Sequence, residues 1–150
     1  MALADPRSDL SGSIEIRPYR ADDRAEIQAL WQGIFPDGAD WNQTDPVIDR
    51  KQSVQPDLFY VACADKHVIG TILAGFDGVR GWVHRLAVHQ DYRRRGIAGQ
   101  LMHRAEAGLK AIGCPKLNLQ VRASNAQVVQ FYQSLGYAIE ERVSLGKALV

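Results

Sequence analysis

Apolar and polar residues alternate from residue 14 to residue 19, which predicts a strand with one buried face. Residues 21–34 then carry apolar side chains at helical spacing, so we expect an amphipathic helix there. A loop broken by proline and glycine follows this helix. A second helix is predicted from residue 44 to about residue 54, with Thr44 as its capping residue and Pro46 in its first turn.

The middle of the chain contains three runs rich in β-branched, aromatic and small apolar residues. Short polar turns separate these runs. Runs joined in this way predict consecutive antiparallel strands, which form a meander. Their predicted bounds are 58–64, 68–76 and 82–88.

The last third of the chain mixes helices with strands. A long amphipathic helix is predicted over 95–112, and Gly113 ends it. Helices interleaved with a mostly antiparallel sheet indicate a mixed α/β layer fold. The remaining predicted elements are a strand over 116–121, a helix over 125–135 and closing strands over 137–143 and 145–150.

Composition narrows the class of protein. The chain has 150 residues, of which 46% are hydrophobic and 23% charged, as in one globular domain. We expect a domain over 14–150 after a flexible lead-in over 1–13. The absence of a membrane-length apolar run and of a signal-like start predicts a cytoplasmic protein that binds no membrane. A net charge of +1 argues against nucleic-acid binding, and the two cysteines lack metal-ligand spacing, so no metal is expected.

The stretch from residue 86 to residue 99 is the most informative of the chain. A strand ends at Val88, a polar turn follows, and a helix is expected to begin among arginine, glycine and alanine residues. The first amides of a helix lack internal partners and can donate to an anion. Gly96 has no Cβ to hold a phosphate away, and neighbouring arginines add positive charge. A close contact between helix and strand would explain the small residues equally well.

The order Arg93-Arg94-Arg95-Gly96-Ile97-Ala98 resembles the acetyl-CoA signature of the GNAT superfamily of N-acetyltransferases, [RQ]-x-x-G-x-[GA]. The resemblance implies a mostly antiparallel central sheet of about seven strands flanked by about four helices. It also implies a bulge in the fourth strand, whose backbone meets the thioester and pantetheine. The residues it assigns to acetyl-CoA are Leu86, Ala87, Val88, Arg93, Arg94, Arg95, Gly96, Ile97, Ala98 and Gly99.

Residues 120–137 carry a second motif at a suitable distance. Asn125 can cap the helix that follows, and Tyr132 lies about two turns later on the same side. The stretch resembles the GNAT segment N-x-x-A-x-x-x-Y-x-x-x-G-[FY], particularly in the ribosomal-protein alanine acetyltransferase branch, although this helix lacks the alanine. The resemblance implies that Tyr132 protonates the departing thiolate and that Asn125 binds the pantetheine or phosphate arm. A core aromatic role for Tyr132 is the alternative.

The general base is less clearly marked. Gln120 stands where the alanine acetyltransferase branch has a glutamate, and a glutamine cannot accept the amine proton. His84 lies two residues before Leu86, and a histidine at this offset resembles that of arylalkylamine acetyltransferases, where it implies proton relay through water. An unperturbed imidazole pKa of about 6.5 suits that role. The alternative is a strand histidine that packs or faces solvent.

In this fold the acceptor pocket would lie between the first helices and the closing strands, here near residues 31–44. Trp31 and Trp41 could form an aromatic wall, and Asp40 could attract a cationic amine, with Phe35 and Asp37 close by in sequence. Packing tryptophans and ordinary loop acids would give the same pattern.

These observations predict an N-acetyltransferase that moves the acetyl group of acetyl-CoA, its cosubstrate, to a primary amine of a small molecule or a protein. The amine would attack directly in a ternary complex. A non-catalytic acyl-CoA-binding regulatory module is the alternative, favoured by Gln120 and opposed by Tyr132. The sequence leaves open whether the protein is a homodimer.

Overall fold

The computed structural model describes residues 14–36 and 38–150. The predicted lead-in over 1–13 and Asp37 lie outside these residues. Contacts within the chain define two compact units, one ending at Leu119 and the other spanning Gln120–Val150. The single domain over 14–150 stays a prediction.

The first unit is built on a five-stranded sheet whose spatial order follows the chain. Each of the first four strands pairs antiparallel with the next, whereas the fifth lies parallel to the fourth. The predicted meander and the mixed, mostly antiparallel sheet are therefore confirmed, but the sheet among the described residues has five strands and not the seven expected. The strands are β1 Glu15–Pro18, β2 Phe59–Ala64, β3 His67–Phe76, β4 Gly81–Val88 and β5 Leu117–Asn118.

Four α-helices are present in the described part of the chain, as predicted. The second begins at Thr44 itself, with Gln43 in the capping position, so the prediction that Thr44 is the cap was wrong. No side chain caps this helix, and it ends at Gln52 rather than near residue 54. The helices are α1 Arg24–Ile34, α2 Thr44–Gln52, α3 Ile97–Ala111 and α4 Ala126–Ser134.

The sheet of the first unit is covered on both faces. Adjacent residues of a strand point to opposite faces, and on β3 the Thr71 hydroxyl meets Trp31 of α1 whereas a Cβ at Gly70 would lie 3.1 Å from Leu101 of α3. Helices α1 and α2 therefore cover one face and α3 covers the other. The core on the α1 and α2 face includes Ile27, Leu30, Trp31, Ile48, Phe59, Val61 and Leu73.

The two predicted closing strands are wrong. Among the described residues, the segment from 137 to 150 forms no strand, and β5 is only two residues long where six were expected over 116–121. Alternation of apolar side chains produces a strand only where a neighbouring strand pairs with the segment. Here the large aliphatic side chains of the segment are 75–91% exposed, and they are Ile139, Val143, Leu145, Leu149 and Val150.

No helix in the described ranges is both long and apolar enough to cross a membrane. Among those same residues, no three His, Cys, Asp or Glu side chains are grouped so that they could hold a metal ion.

A buried ion pair fixes the start of the first unit. Both guanidinium nitrogens of Arg17 donate to the Asp23 carboxylate at 2.8 Å, and the Arg20 amide donates to it at the same distance. The Asp23 residue is only 5% exposed. Burial acts to raise the pKa of Asp23, but the hydrogen bonds from Arg17 and Arg20 outweigh it and the pKa lies below its usual value.

We expect Asp23→Asn to lower the free energy of unfolding by about 3 kcal/mol at pH 7, because Arg17 is then left without its counter-ion. A carboxyl whose pKa is depressed in the folded state contributes stability above its unfolded pKa of about 3.9, and that stability is lost as pH falls below it. Urea unfolding at several pH values should therefore show the difference between the two proteins shrinking below about pH 4.

The exposed neighbour Asp22 supplies the control for this experiment. Asp22→Asn should unfold at nearly the wild-type urea concentration throughout the pH range. A difference between Asp23→Asn and wild type that stayed constant down to pH 2 would contradict the assigned role of the ion pair.

Candidate functional site

A β-bulge lies in the middle of β4. Thr71 of β3 pairs with Ala87 and Leu73 pairs with His84, so β4 contains one residue more than β3 over this interval. Arg85 occupies the bulge with a left-handed φ of 54°, which costs a non-glycine residue about 1–2 kcal/mol. A bulge in the fourth strand, which the resemblance to the GNAT superfamily implies, is therefore present.

Two buried hydrogen bonds hold the bulge in place. The Trp31 indole Nε1 donates to the Thr71 hydroxyl at 2.8 Å, and that hydroxyl donates to the Arg85 carbonyl at 2.8 Å. Trp31 and Thr71 are 1% and 0% exposed. Because hydrogen bonds away from water are costly to break, this chain of donors offsets the strain at Arg85.

The aromatic wall predicted from Trp31 and Trp41 does not exist as an exposed pair. Trp31 is a core residue that stacks on Phe59, because its position on α1 faces the sheet. Trp41 is 42% exposed and belongs to the short 3₁₀ helix Asp40–Asn42, where Asp40 is also exposed. Only Trp41 and Asp40 of the three predicted acceptor residues can therefore meet a ligand directly.

The Arg85 side chain is held beside the bulge. Its guanidinium lies 5.1 Å from the ring centroid of Trp31 and 4.9 Å from that of Phe35, and its Nη2 donates to the Asn42 carbonyl at 2.6 Å. Burial lowers the pKa of this guanidinium. The sequence pattern did not reveal this residue, because nothing in it signals a left-handed arginine within a strand.

His84 immediately precedes the bulge. The residue is only partly exposed to solvent and lies on the same sheet face as Leu73, its partner in β3. Partial burial lowers the pKa of His84 first, and the positive charges of Arg85 and Lys51 lower it further. The neutral imidazole, which can accept a proton, is therefore favoured at neutral pH.

Lys51, at the end of α2, is a second residue that sequence reasoning missed. Its Nζ donates to the Ala74 carbonyl at 2.6 Å and to the Val54 carbonyl at 2.8 Å. Burial lowers the pKa of Lys51 to about 8. A lysine within a polar helix gives no sign in sequence that its ammonium reaches across to a strand.

The turn between β4 and α3 differs from the prediction in one respect. The long helix begins at Ile97 rather than at residue 95, because Arg94 and Gly96 have left-handed φ values of 62° and 75°. The Gln100 amide donates to the Gly96 carbonyl at 3.0 Å. The amides of Ile97, Ala98 and Gly99 come before this bond, in the first turn of the helix. Amides in the first turn have no acceptor within the helix, so these three are available to a ligand.

The region around Gly96 is open. A Cβ built on Gly96 would meet no atom within 4 Å, and the Arg94 side chain is exposed with no partner found among residues 14–36 and 38–150. The other two arginines of the motif pack locally: Arg93 Nε donates to the Val88 carbonyl at 3.3 Å, and the Arg95 guanidinium lies 5.3 Å from the Tyr92 ring centroid. The turn thus combines helix amides, free volume and positive charge.

The strand residues assigned to acetyl-CoA lie at and just after the bulge. Leu86 and Val88 are half-buried, whereas Ala87 is 3% exposed and belongs to the core. Only the backbone of Ala87 is therefore available to a ligand, in line with a strand that would contact the thioester through peptide groups.

The second unit carries the tyrosine motif. Asn125 caps α4, as predicted, with its Oδ1 accepting from the Val128 amide at 3.3 Å. The Tyr132 ring packs against Phe131 and Tyr137, at centroid distances of 5.1 and 5.9 Å. Burial raises the pKa of Tyr132 to about 12, so its phenol keeps its proton at neutral pH. Within the described residues no hydrogen bond engages this hydroxyl, which leaves it available to a ligand.

Gln120 lies in the same unit. Its side-chain amide donates to the Ser144 hydroxyl at 2.6 Å. A carboxamide does not accept a proton near neutral pH, so Gln120 cannot serve as the general base.

The chain matches a model of the acetyltransferase (GNAT) family over residues 11–137. Acetyltransferase SG1711 of Sodalis glossinidius is 44% identical over 141 residues, which cover 91% of this chain and 96% of that protein. Ard1 from Thermoplasma volcanium has a similar fold, with a TM-score of 0.77 at 20% identity over 85% of this chain and 84% of that chain. The structure of the aminoglycoside N-acetyltransferase AAC(6')-Iy in complex with CoA also has a similar fold. Its TM-score is 0.74 at 20% identity, over 91% of this chain and 95% of that chain.

The family match spans most of the chain, including the bulge and the glycine-rich turn. The relative with 44% identity aligns over nearly its whole length. This chain therefore belongs to the GNAT acetyltransferase family and is an N-acetyltransferase.

Proposed function

We propose that the protein transfers the acetyl group of acetyl-CoA to a primary amine, which attacks directly while both substrates are bound. The observation that carries this proposal is that the β4 bulge and the open turn at Gly96 occur in the same unit. The related fold of AAC(6')-Iy, whose structure contains CoA, supports the choice of cosubstrate.

The residues of the turn fit a diphosphate. A phosphate needs hydrogen-bond donors, positive charge and room, and helix N-termini satisfy the first two requirements together. Here the amides from Ile97 to Gly99 supply donors, Arg94 supplies an unengaged guanidinium, and the missing Cβ of Gly96 supplies space. When bound, acetyl-CoA would supply a thioester as the acetyl donor.

The β4 bulge can serve the reacting carbonyl. A bulge removes peptide groups from the regular ladder, and here these groups belong to Arg85 and Leu86. Backbone amides held in fixed positions can stabilise the negative charge that develops on an oxygen during acyl transfer. The Trp31 and Thr71 hydrogen bonds supply the rigidity that this role requires.

Two side chains can move the protons of the reaction. A protonated amine cannot attack, so His84 accepts the amine proton directly or through water; its lowered pKa keeps it neutral and ready to do so. The departing sulfur needs a proton, and the phenol of Tyr132 keeps one at neutral pH. Asn125 is assigned to the pantetheine or phosphate arm through the amide nitrogen that its capping bond leaves unused.

For the acceptor we propose only its chemical class, a primary amine. Asp40 and Trp41 are exposed and available to it. The likeness of residues 120–137 to the ribosomal-protein alanine acetyltransferase branch rests on the motif alone, and Gln120 lacks the acid of that branch. Gln120 is the observation that favoured a non-catalytic acyl-CoA-binding module in the sequence, and membership of the acetyltransferase family argues against that alternative. Release of free thiol from acetyl-CoA with a panel of amines identifies the class of acceptor, and a binding module would release none.

The turn at Gly96 is tested by Gly96→Ala. The added Cβ enters the space assigned to the diphosphate, so we expect the dissociation constant for CoA to rise at least about 10-fold, which is 1.4 kcal/mol. Calorimetric titration with CoA measures the change.

Gly113, at the other end of α3, is a matched control. It also has a positive φ, 84°, and its Cβ position is also free of neighbours within 4 Å. Gly113→Ala therefore introduces the same backbone strain away from the turn and should leave CoA affinity near wild type. Equal affinities in the two variants would exclude the proposed diphosphate site.

Removal of the Tyr132 hydroxyl tests the acid. We expect Tyr132→Phe to lower kcat about 100-fold, the lower end of the usual contribution of a general acid, with little change in CoA affinity. Thiol release and calorimetry give the two quantities. Tyr19→Phe, in a tyrosine that stacks on Phe59 in the first unit, controls for loss of a hydroxyl in general. Wild-type turnover in Tyr132→Phe would remove the acid role.

The role of His84 is tested through pH. A base must be deprotonated, so kcat/KM should fall as pH drops through the pKa of His84, which lies below the usual 6.5. The His84→Ala variant should lose this pH dependence. Its kcat/KM at pH 7.5 should be about 10-fold lower than that of the wild type. His103→Ala, on an exposed position of α3, is the control. A pH profile of His84→Ala that kept the wild-type shape would refute the assignment.

A further inference from the structure

Two half-buried cations near His84 have no acidic partner among residues 14–36 and 38–150. The described ion pairs of the first unit involve Arg17, Arg24 and two histidines, His67 and His89, but neither Arg85 nor Lys51. Removing a positive charge from water without a counter-ion is unfavourable. Burial accordingly lowers the pKa of both groups. Such an arrangement is expected where a ligand brings the missing negative charge.

The Arg85 guanidinium is fixed in position without being saturated. The rings of Trp31 and Phe35 hold its plane, and Asn42 accepts one of its N–H groups. A guanidinium has five N–H donors in a planar fork that matches a carboxylate. Several donors thus remain beside the bulge for an oxyanion.

The Lys51 ammonium is similarly held. Two of its three N–H groups are directed to the carbonyls of Val54 and Ala74, which leaves one donor. The Nζ lies 3.8 Å from the position that a Cβ on Gly75 would take, so this glycine gives the ammonium access to the sheet. Gly75 and Leu73 share a face of β3, and His84 lies opposite Leu73.

The Lys51 ammonium is separate from the turn assigned to the diphosphate. Gly75, next to Lys51, pairs with Trp82, which lies six positions before Val88, where the strand ends. At about 3.3 Å per residue this distance approaches 20 Å. An anion bound by Lys51 therefore belongs to the acceptor side of the bulge.

We propose that Arg85 and Lys51 bind a carboxylate of the acceptor, so that the acceptor is a small amine carrying its own carboxylate, such as an amino acid. This inference rests on the proposed function, because it assigns the acceptor of the same site. A polycationic amine without an acid group would meet like charge at this position. The positive charges of Arg85 and Lys51 both act on His84, so a carboxylate bound by these cations would bring its neighbouring amine towards His84. The exposed Asp40 stays available to an ammonium group.

The test compares each acid with its own carboxamide. Glycine, L-glutamate, L-phenylalanine, β-alanine and γ-aminobutyrate are offered with acetyl-CoA, each beside the corresponding amide, and spermidine serves as the cationic amine. Thiol release gives kcat/KM, and calorimetry on the CoA-saturated protein gives affinity. We expect at least one acid to be preferred over its amide by 10-fold or more, and spermidine to be a poor acceptor.

Variants assign the preference to the two cations. Arg85→Gln and Lys51→Gln should each reduce the ratio of acid to amide about 10-fold, the loss expected for one charge-assisted hydrogen bond. Arg85→Lys, which keeps the charge, should restore part of the ratio. Arg80→Gln, at an exposed arginine of the β3–β4 turn, should leave the ratio at the wild-type value.

The outcomes separate this inference from the proposed function. Thiol release with spermidine or the amides, without a preference for any acid, overturns the inference and leaves the acetyltransferase function standing. Binding of an acid that is weakened in Arg85→Gln, without thiol release from any amine, supports the inference while the proposed catalysis fails. Absence of both binding and turnover for every acid overturns the inference, as does an acid preference that survives in both glutamine variants.

Discussion

The site depends on a chain of two hydrogen bonds that leads from α1 through β3 to the backbone of β4. Trp31 donates to Thr71, and Thr71 donates to the carbonyl of Arg85. These buried bonds offset the strain of a left-handed arginine within a strand, and the contacts of the Arg85 guanidinium with Trp31, Phe35 and Asn42 add to them. The bulge then determines where His84 and the Arg85 guanidinium lie. The packing of the core therefore also determines the geometry of the candidate site in this protein.

Much of the first unit could be predicted from periodicity and motifs. The meander, the helices α1 and α2 and the long α3 helix follow from apolar spacing, which reports burial directly. The closing strands could not be predicted correctly, because alternation shows that a segment can form a strand and not whether another strand pairs with it. The start of α3 was misplaced by two residues, since left-handed φ at Arg94 has no signature in composition.

Some residues of the candidate site could also be predicted from the sequence, and others could not. Gly96, Asn125 and Tyr132 stand in motifs whose spacing is readable, and the Asn125 cap was predicted from residue type alone. Lys51 and Arg85 were not found, because their importance lies in missing partners and in contacts across the fold. Trp31 was assigned to a ligand when it belongs to the core. A tryptophan near a predicted pocket does not reveal which way its ring faces.

The double role of Trp31 has a consequence for how such proteins diverge. A residue that both fills the core and anchors the bulge cannot change without loss of the scaffold, so drift at this position is restricted. The short 3₁₀ segment at Asp40–Asn42 is less constrained, since its side chains are exposed. If this segment contacts the acceptor, as we propose, exchange of its residues can change the acceptor preference while the bulge and its Trp31 anchor are retained.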